Sequence, residues 1–343
     1  MKKIAVVSDS FKGSLTSGEI CGIVTEEARR FFPRCEIAGL SVADGGEGTV
    51  DSFLACLPGE KVPLEVAGPY FERTASFYGR FGETAVVEMA AAAGLPMVEE
   101  RKDPSRTTTY GVGELMRHAL ENGAKKIILA LGGSATNDGG CGAAAAMGTR
   151  FFDEAGEAFV PVGGTLSRIV RIDNAETRRL LSGVEVVAMC DIDNPMHGPR
   201  GAAHVFAPQK GADAKMVQSL DRQLVSLEGT LAQELGASVA DLPGAGAAGA
   251  GGAGAVAFFG ARLQPGIETV LDAVRFEERV AGADFVITGE GKLDRQSLRG
   301  KVVLGVSRRA KRLNIPVFAV VGDIGDEIDA VYEAGVTAVF STN

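Results

Sequence analysis

The sequence has 343 residues, of which 45% are hydrophobic and 23% charged, and its mean hydropathy is +0.12. This composition excludes a disordered tail, a disulfide-rich miniprotein and a fibrous repeat. The net charge of −9 argues against a protein that coats nucleic acid or an anionic membrane, while a small anionic substrate stays compatible with it. The length favours two domains.

The five cysteines form no CxxC pair, so we expect free thiols in a reducing cytoplasm. The three histidines have no metal-site spacing, and the apolar run after the first three residues is too short for a signal peptide. Residues 242–261 carry no charge, but they contain seven glycines and eight alanines, so we do not expect a membrane span there.

In chain order, the pattern begins with a predicted strand at 4–7 and a helix opened by Thr16, with Glu19 completing a capping box. A strand at 36–42 and a helix at 49–57 follow. The middle of the chain predicts a β-hairpin at 63–82, a helix at 108–122 and strands at 126–131 and 184–189.

The C-terminal part predicts a strand at 284–288, a loop at Gly289-Glu290-Gly291 and a helix at 301–313. It continues with a strand at 316–321, a helix at 326–334 and a strand at 336–341. Alternating strands and helices predict an α/β fold. We expect a doubly wound, Rossmann-like parallel-sheet domain (1–62 plus 280–343) interrupted by an inserted α/β domain (63–279), with the active site in the cleft between them.

Polar residues follow the predicted strands, where open α/β sheets bind their ligands. They are Asp9, Asp44, Asn137, Asp138, Asp191, Glu290 and Asp323. The alternative, that Asp simply favours turns and helix caps, is about equally good for any single residue and weaker for the whole set.

Several standard motifs are missing. A P-loop fails at Gly300-Lys301, because Arg295 and Val302 stand where glycine and Ser or Thr are required. Gly244, Gly246 and Gly249 match GxGxxG in spacing, but no strand precedes them. We interpret this Gly/Ala tract, 243–258, as a phosphate-wrapping loop, and the alternative is a small-residue helix packed closely on its neighbour.

Cations occur in the same loops: Lys12, Arg200, Lys210, Lys292, Arg295 and Lys301. Lys12 and Lys210 each precede a glycine, which favours contact with an anion. For His197 and His204, on either side of Arg200, a structural role is the better interpretation. Carboxylates, cations and glycine-rich loops together indicate phosphoryl transfer.

Seven blocks in order closely resemble the bacterial glycerate kinase family: residues 9–14, 43–49, 132–140, 191–195, 208–212, 243–249 and 288–297. The resemblance implies a two-domain α/β fold without a P-loop, and phosphorylation of D-glycerate by ATP and Mg²⁺, at the 2-hydroxyl. Members of the family continue past the strand at 336–341, whereas this sequence ends at Asn343. The alternatives are a non-catalytic sugar-acid or nucleotide-binding regulator and a nicotinamide-dependent oxidoreductase.

Chemistry and chain position suggest the individual roles. Asp191 is the candidate to orient or deprotonate the hydroxyl, and Lys12 and Lys210 to contact phosphate or the glycerate carboxylate. The candidate metal ligands are Asp44, Glu290 and Asp294. The candidate substrate- or nucleotide-binding residues are Asp9, Ser14, Gly45, Gly46, Ser134, Asn137, Asp138, Asn194, Arg200, Gly244, Gly246, Gly249 and Gln296. The expected partners are D-glycerate and ATP, neither nucleic acid nor membrane, and a homodimer is left open.

Overall fold

The computed structural model describes residues 2–11, 14–42, 48–293, 301–326 and 328–343. The chain divides into unit 1, Met1–Pro58 with Pro265–Asn343, and unit 2, Gly59–Gln264. These limits differ from the predicted boundaries at 62/63 and 279/280. The strand that begins at Glu60 pairs along its whole length within unit 2, which moves the first limit towards the N-terminus.

Unit 1 contains a five-stranded sheet in which every neighbouring pair is parallel. Numbered along the chain, its strands are β1 (Lys3–Ser8), β2 (Glu36–Ser41), β12 (Phe285–Leu293), β13 (Val317–Ile324) and β14 (Val336–Ser341). The spatial order is β14-β13-β12-β1-β2, so strands from both ends of the chain meet at the β12–β1 pair.

The helices of unit 1 are α1 (Ser17–Phe31), α2 (Thr49–Cys56), α10 (Gly266–Ala273), α11 (Phe276–Val280), α12 (Val302–Arg312) and α13 (Asp329–Glu333). The predicted capping box at the start of α1 is confirmed: the Thr16 hydroxyl accepts the Glu19 N–H, and the Glu19 carboxylate accepts the Thr16 N–H. The side chains of Ile4, Val6 and Cys21 pack together where α1 covers β1.

The predicted loop at Gly289-Glu290-Gly291 is wrong. These residues belong to β12, because its parallel pairing with β13 continues from Val286–Val317 to Leu293–Ile324. The glycines do not interrupt the strand, since β13 pairs with it on both sides of them. Asp323, expected just beyond a strand, likewise lies within β13.

Unit 2 contains a six-stranded mixed sheet, ordered β11-β10-β6-β5-β4-β3, and a small three-stranded sheet, ordered β8-β7-β9. Its strands are β3 (Glu60–Ala67), β4 (Arg73–Phe81), β5 (Thr84–Glu88), β6 (Lys126–Ala130), β7 (Arg150–Phe152), β8 (Ala158–Phe159), β9 (Arg171–Asp173), β10 (Glu185–Met189) and β11 (Arg262–Gln264). The predicted hairpin is the antiparallel β3–β4 pair. Strands β5, β6, β10 and β11 run parallel, so their carboxyl ends lie along one edge.

The helices of unit 2 are α3 (Met89–Ala93), α4 (Tyr110–Glu121), α5 (Cys141–Ala146), α6 (Ala175–Leu180), α7 (Ala202–Phe206), α8 (Ala214–Leu235) and α9 (Ala247–Phe259), with 3₁₀ turns at Leu95–Arg101, Leu166–Arg168 and Pro208–Lys210. In α8, Leu220, Leu224, Leu227 and Leu231 recur at helical spacing and are all buried. The prediction of an α/β fold with parallel sheets and helices is thus confirmed.

The Gly/Ala tract is helical over most of Ala247–Phe259, with a non-helical turn at residues 248–250, so the small-residue helix describes most of the tract and the phosphate-wrapping role of its first residues stays a prediction. Gly254 lies so close to Gly139 that an added Cβ would come within 2.1 Å of the Gly139 carbonyl oxygen. Ala248, Gly249 and Ala250 have positive φ angles, which places a left-handed turn inside α9. Among the described residues, no helix is both long and apolar enough to cross a bilayer.

Candidate active site

In unit 1, the candidate site lies at the carboxyl ends of β1 and β12. From these two adjacent strands the chain continues in opposite directions, to β2 and to β13, which is the topological switch point where open α/β sheets bind ligands. The N–H of Asp9 donates to the Gly289 carbonyl (2.9 Å), which joins the end of β1 to the middle of β12. The Asp9 and Glu290 side chains are both buried here.

The start of α1 is attached to the same edge. The Ser17 hydroxyl donates to the Ser8 carbonyl (2.6 Å) and accepts the Val42 N–H (3.1 Å). Thr288 is buried, and its hydroxyl has no hydrogen-bond partner among the described residues. Ser14 is exposed, and its N–H donates to the Phe11 carbonyl. Of the remaining predicted site residues of unit 1, six lie outside the described residues: Lys12, Asp44, Gly45, Gly46, Asp294 and Gln296.

In unit 2, residues 132–140 follow β6 and form the central loop of the edge. Two backbone hydrogen bonds fix its first half to the segment after α3: Leu95 N–H to Gly133 O and Ala135 N–H to Ala93 O, both 2.8 Å. The N–H of Gly139 donates to the Gly249 carbonyl (3.0 Å), which fixes the second half to the left-handed turn of α9. The loop is therefore held at both ends.

Lys210 lies beneath this loop and is only 2% exposed. Its Nζ donates to the Ser134 hydroxyl (2.9 Å) and to the Thr136 carbonyl (2.7 Å). Burial lowers the pKa of Lys210 to about 7, and the nearby charge of Asp138 offsets this only in part. The structure thus brings together two predicted site residues, Ser134 and Lys210, that are far apart in the sequence.

Asp138 is fully buried, and its carboxylate accepts four hydrogen bonds. The donors are the Thr109 N–H and hydroxyl (both 2.8 Å), the Gly140 N–H (3.1 Å) and the Gly142 N–H (3.2 Å). Burial raises the pKa of Asp138, although these bonds act in the opposite direction. These four bonds show that Asp138 orders the loop and the start of α5, and its role in binding substrate stays a prediction.

Asn137 and Thr136, between the Lys210 and Asp138 contacts, are also fully buried. Neither the amide nitrogen and oxygen of Asn137 nor the Thr136 hydroxyl has a hydrogen-bond partner within the described part of the chain. Leaving a buried polar group unpaired costs about 1–3 kcal/mol. Such groups concentrate where a structure is built for function, which keeps Asn137 a candidate and adds Thr136.

The loop after β10 carries Asp191, which is exposed at the strand end. Further along, the Asn194 amide donates to the Arg200 carbonyl (2.8 Å), so Asn194 shapes its own loop, while the Arg200 side chain is exposed. His197 Nε2 lies 2.6 Å from the Glu228 carboxylate, in agreement with the structural role preferred for this histidine.

The three predicted binding glycines are required by close packing. An added Cβ would lie 2.8 Å from Cys190 Sγ at Gly244, 2.3 Å from the Pro195 carbonyl at Gly246, and 2.0 Å from the Thr136 carbonyl at Gly249. Real Cβ atoms do not approach other atoms this closely. Packing therefore accounts for these glycines without a ligand, and their binding role stays a prediction.

Sequence reasoning missed two residues of this site. Thr109, at the start of α4, donates its hydroxyl to Asp138 and accepts the Ala143 N–H (2.8 Å). Thr136 supplies the carbonyl that Lys210 contacts. The sequence offered only a weak signal for either, a run of three threonines at 107–109 and the position of Thr136 beside Asn137.

The predicted metal ligands are Asp44, Glu290 and Asp294. Glu290, the one proposed ligand that the structure describes, has a buried carboxylate of the type that Mg²⁺ prefers. Within the described ranges, no three His, Cys, Asp or Glu side chains lie close enough together to hold a metal ion. The described residues therefore do not by themselves form a magnesium site.

Comparison with known proteins identifies the family. The profile of the Glycerate kinase family matches residues 4–343. The chain is 46% identical to the glycerate kinase of Bacillus cereus and 41% identical to the glycerate 2-kinase of Escherichia coli, and each match covers 99% of this chain and 90% of the relative.

A crystal structure from Salmonella typhimurium LT2, named as a glycerate kinase 2, superimposes with a TM-score of 0.90 at 42% identity, over 99% of this chain and 90% of that one. Identity at this level over nearly the whole chain extends well beyond the seven blocks. The chain belongs to the glycerate kinase family and is a kinase.

Proposed function

We propose that the protein transfers the γ-phosphoryl group of ATP to the 2-hydroxyl of D-glycerate, giving 2-phosphoglycerate and ADP. The observation that carries the proposal is the buried Lys210, held against Ser134 and Thr136 at the carboxyl ends of the parallel strands of unit 2. A buried cation without a carboxylate in contact is suited to an anionic substrate. The E. coli relative is named a glycerate 2-kinase, which favours the 2-hydroxyl.

The proposal includes Mg²⁺, which when bound neutralises charge on the phosphates during transfer. Glu290 is its one proposed ligand among the described residues. The side chains of the protein are proposed to bind and orient the substrates and to accept the proton of the acceptor hydroxyl. Asp191, exposed at the end of β10, is proposed to orient the acceptor hydroxyl and to take its proton.

The activity is tested with purified protein, D-glycerate, ATP and Mg²⁺. Enolase and pyruvate kinase, with and without phosphoglycerate mutase, separate 2-phosphoglycerate from 3-phosphoglycerate in the product. We expect pyruvate to form without the mutase. It should not form when glycerol replaces glycerate. ATP hydrolysis that ignores glycerate would refute the proposal, and a signal that requires the mutase would move the transfer to the 3-hydroxyl.

The role of Asp191 is tested by Asp191→Asn, with Asp193→Asn as the matched control on the same loop, where Asp193 is also exposed. We expect Asp191→Asn to lower kcat by about 10²–10⁴-fold with a much smaller change in the KM for glycerate, as for the loss of a general base. The control should stay near the parent. If Asp191→Asn keeps kcat within about threefold of the parent, less than ~1 kcal/mol, the role assignment is wrong.

A further inference from the structure

The surroundings of Lys210 contain polar neutral groups but no directly paired acid. Its Nζ contacts one hydroxyl and one backbone carbonyl, and no carboxylate oxygen of the described residues lies within 4.0 Å of it. The loop above it adds the Thr136 hydroxyl and the Asn137 amide, both buried and without hydrogen-bond partners among the residues described. A protonated lysine has three N–H donors, so one donor remains for a ligand.

The charge of this site is small. Lys210 contributes a single positive charge, and Asp138 nearby is acidic. The phosphates of a nucleotide carry several negative charges, and enzymes bind them with several cations, metal ions or rows of backbone N–H groups. One buried ammonium with a hydroxyl and an amide instead matches one carboxylate.

The site adjoins an exposed turn. Gly132 and Gly133, next to Ser134, are exposed, and an added Cβ on Gly132 would meet no atom within 4 Å. Ser134 itself is 7% exposed and lies between this turn and the Lys210 ammonium group. A carboxylate that reached Lys210 from this turn would therefore contact the Ser134 hydroxyl as well.

We propose that Lys210 and Ser134 bind the carboxylate of the acceptor, not the phosphates of the nucleotide, and so select hydroxy acids over polyols. The inference rests on the proposed function and makes it more specific, because it assigns one group of the substrate to one pair of side chains. Thr136 and Asn137 are the neighbouring buried donors available to the same carboxylate or to the adjacent hydroxyl.

The pH dependence of binding supplies an independent readout. Asp138, on the loop above, is the acid whose charge acts on Lys210. On the other side, Lys102 packs its Cβ and carbonyl against Gly211, and its side chain is exposed. Because burial lowers the pKa of Lys210 to about 7, the free site loses its charge as the pH rises above that value. Carboxylate binding should then weaken by up to about tenfold per pH unit.

The experiment compares Lys210→Met with Lys215→Met, a control at an exposed lysine of the same unit. We expect Lys210→Met to raise the KM for D-glycerate by about 10–100-fold, the usual range for a lost charged hydrogen bond, and to leave the KM for ATP within threefold. Ser134→Ala should raise the KM for glycerate by a smaller factor, about 3–10-fold. The KM for glycerate should rise with pH above 7 in the parent and stay flat in Lys210→Met.

The opposite split, with the KM for ATP raised and that for glycerate unchanged, would overturn the inference, and so would no change in either. Calorimetric binding of D-glycerate, glycerol and ADP without turnover separates this inference from the proposed function. If the parent phosphorylates no glycerate, the proposed function fails, but a loss of D-glycerate binding in Lys210→Met would still support the carboxylate site. If Lys210→Met does not fold, Ser134→Ala and the pH profile of the parent decide the matter.

Discussion

Two cationic side chains are buried among the described residues, Arg309 in unit 1 and Lys210 in unit 2, and their surroundings are opposite. Arg309, on α12, contacts three carboxylates from α10 and α11: Glu277 (2.5 Å), Asp272 (2.7 Å) and Glu268 (3.5 Å). Lys210 contacts a hydroxyl and a carbonyl oxygen instead. One cation is surrounded by excess negative charge, and the other has no acid in contact.

The pKa values of the two cations follow from this difference. Burial alone would lower the pKa of Arg309, but hydrogen bonds to Glu277 and Asp272 outweigh it and raise the pKa above its ordinary value. Burial lowers the pKa of Lys210 to about 7, because the charge of Asp138 compensates it only in part. A buried cation with its own carboxylates has a structural role, whereas one without them is suited to an anion from outside.

The two cations should differ most in how much each stabilises the folded protein. Arg309→Met should lower the free energy of unfolding by about 2–4 kcal/mol, because three carboxylates lose their counter-charge. This loss is smaller than for a fully buried ion pair, since the three carboxylate side chains are 29–44% exposed to solvent. Lys210→Met should change the free energy of unfolding by less than about 1 kcal/mol at pH 7, because methionine removes a charge that burial disfavours. Urea unfolding followed by circular dichroism measures both variants.

A larger loss in Lys210→Met than in Arg309→Met would invert the comparison and would show that Lys210 is the structural cation. An unchanged KM for D-glycerate in Lys210→Met would contradict the assignment of this residue to the substrate. The two measurements are independent, since one follows folding and the other follows turnover.

The next effect is the pH dependence of stability that Lys210 adds. Its pKa is about 7 in the folded protein and near its ordinary value of 10.5 in the unfolded chain. Between these values the unfolded chain binds more protons, so stability should rise with pH, by up to about 1.4 kcal/mol per unit from this group alone. Lys210→Met removes this contribution. The difference in free energy of unfolding between the parent and Lys210→Met should therefore change between pH 7 and pH 9. If the two proteins show parallel stability curves over that range, the pKa of Lys210 is not lowered.

The sequence predicted local features better than contacts between distant segments. The apolar run at residues 4–7 and the capping box of Thr16 and Glu19 depend on neighbours along the chain, and both agree with the structure. The extent of β12 depends on its pairing with β13, which the glycines at 289 and 291 concealed. The local pattern around those residues resembles a loop, and only the partner strand makes it a strand.

The site shows the same limit. The glycine after Lys210 points to this lysine, and the glycine-rich loop after a predicted strand points to Ser134. Nothing in the sequence indicates that the two groups touch, since 76 residues separate them. Asp138 has the residue type of a catalytic acid, and only its four hydrogen bonds identify it as the group that orders the loop. Residue type suggests chemistry, whereas burial and partners decide which group remains available for it.

Substitution of a single carboxylate around Arg309 should have a small effect, because each of the three is partly redundant. Glu277 receives two bonds from the guanidinium, Asp272 one at 2.7 Å, and Glu268 only a 3.5 Å contact through its carboxylate. We expect destabilisation by about 1–2 kcal/mol in Glu277→Gln, about 0.5–1 kcal/mol in Asp272→Asn and less than about 0.5 kcal/mol in Glu268→Gln, since partly exposed pairs are screened by solvent.

Arg309 holds the pKa of Glu277 below its ordinary value of 4.5, so this stabilisation is complete above that pH and is lost as the pH falls through the folded-state pKa. The gap between the parent and Glu277→Gln should accordingly close in acid. Three equal losses at pH 7, or a gap that persists in acid, would show that the cluster acts through packing and not through charge.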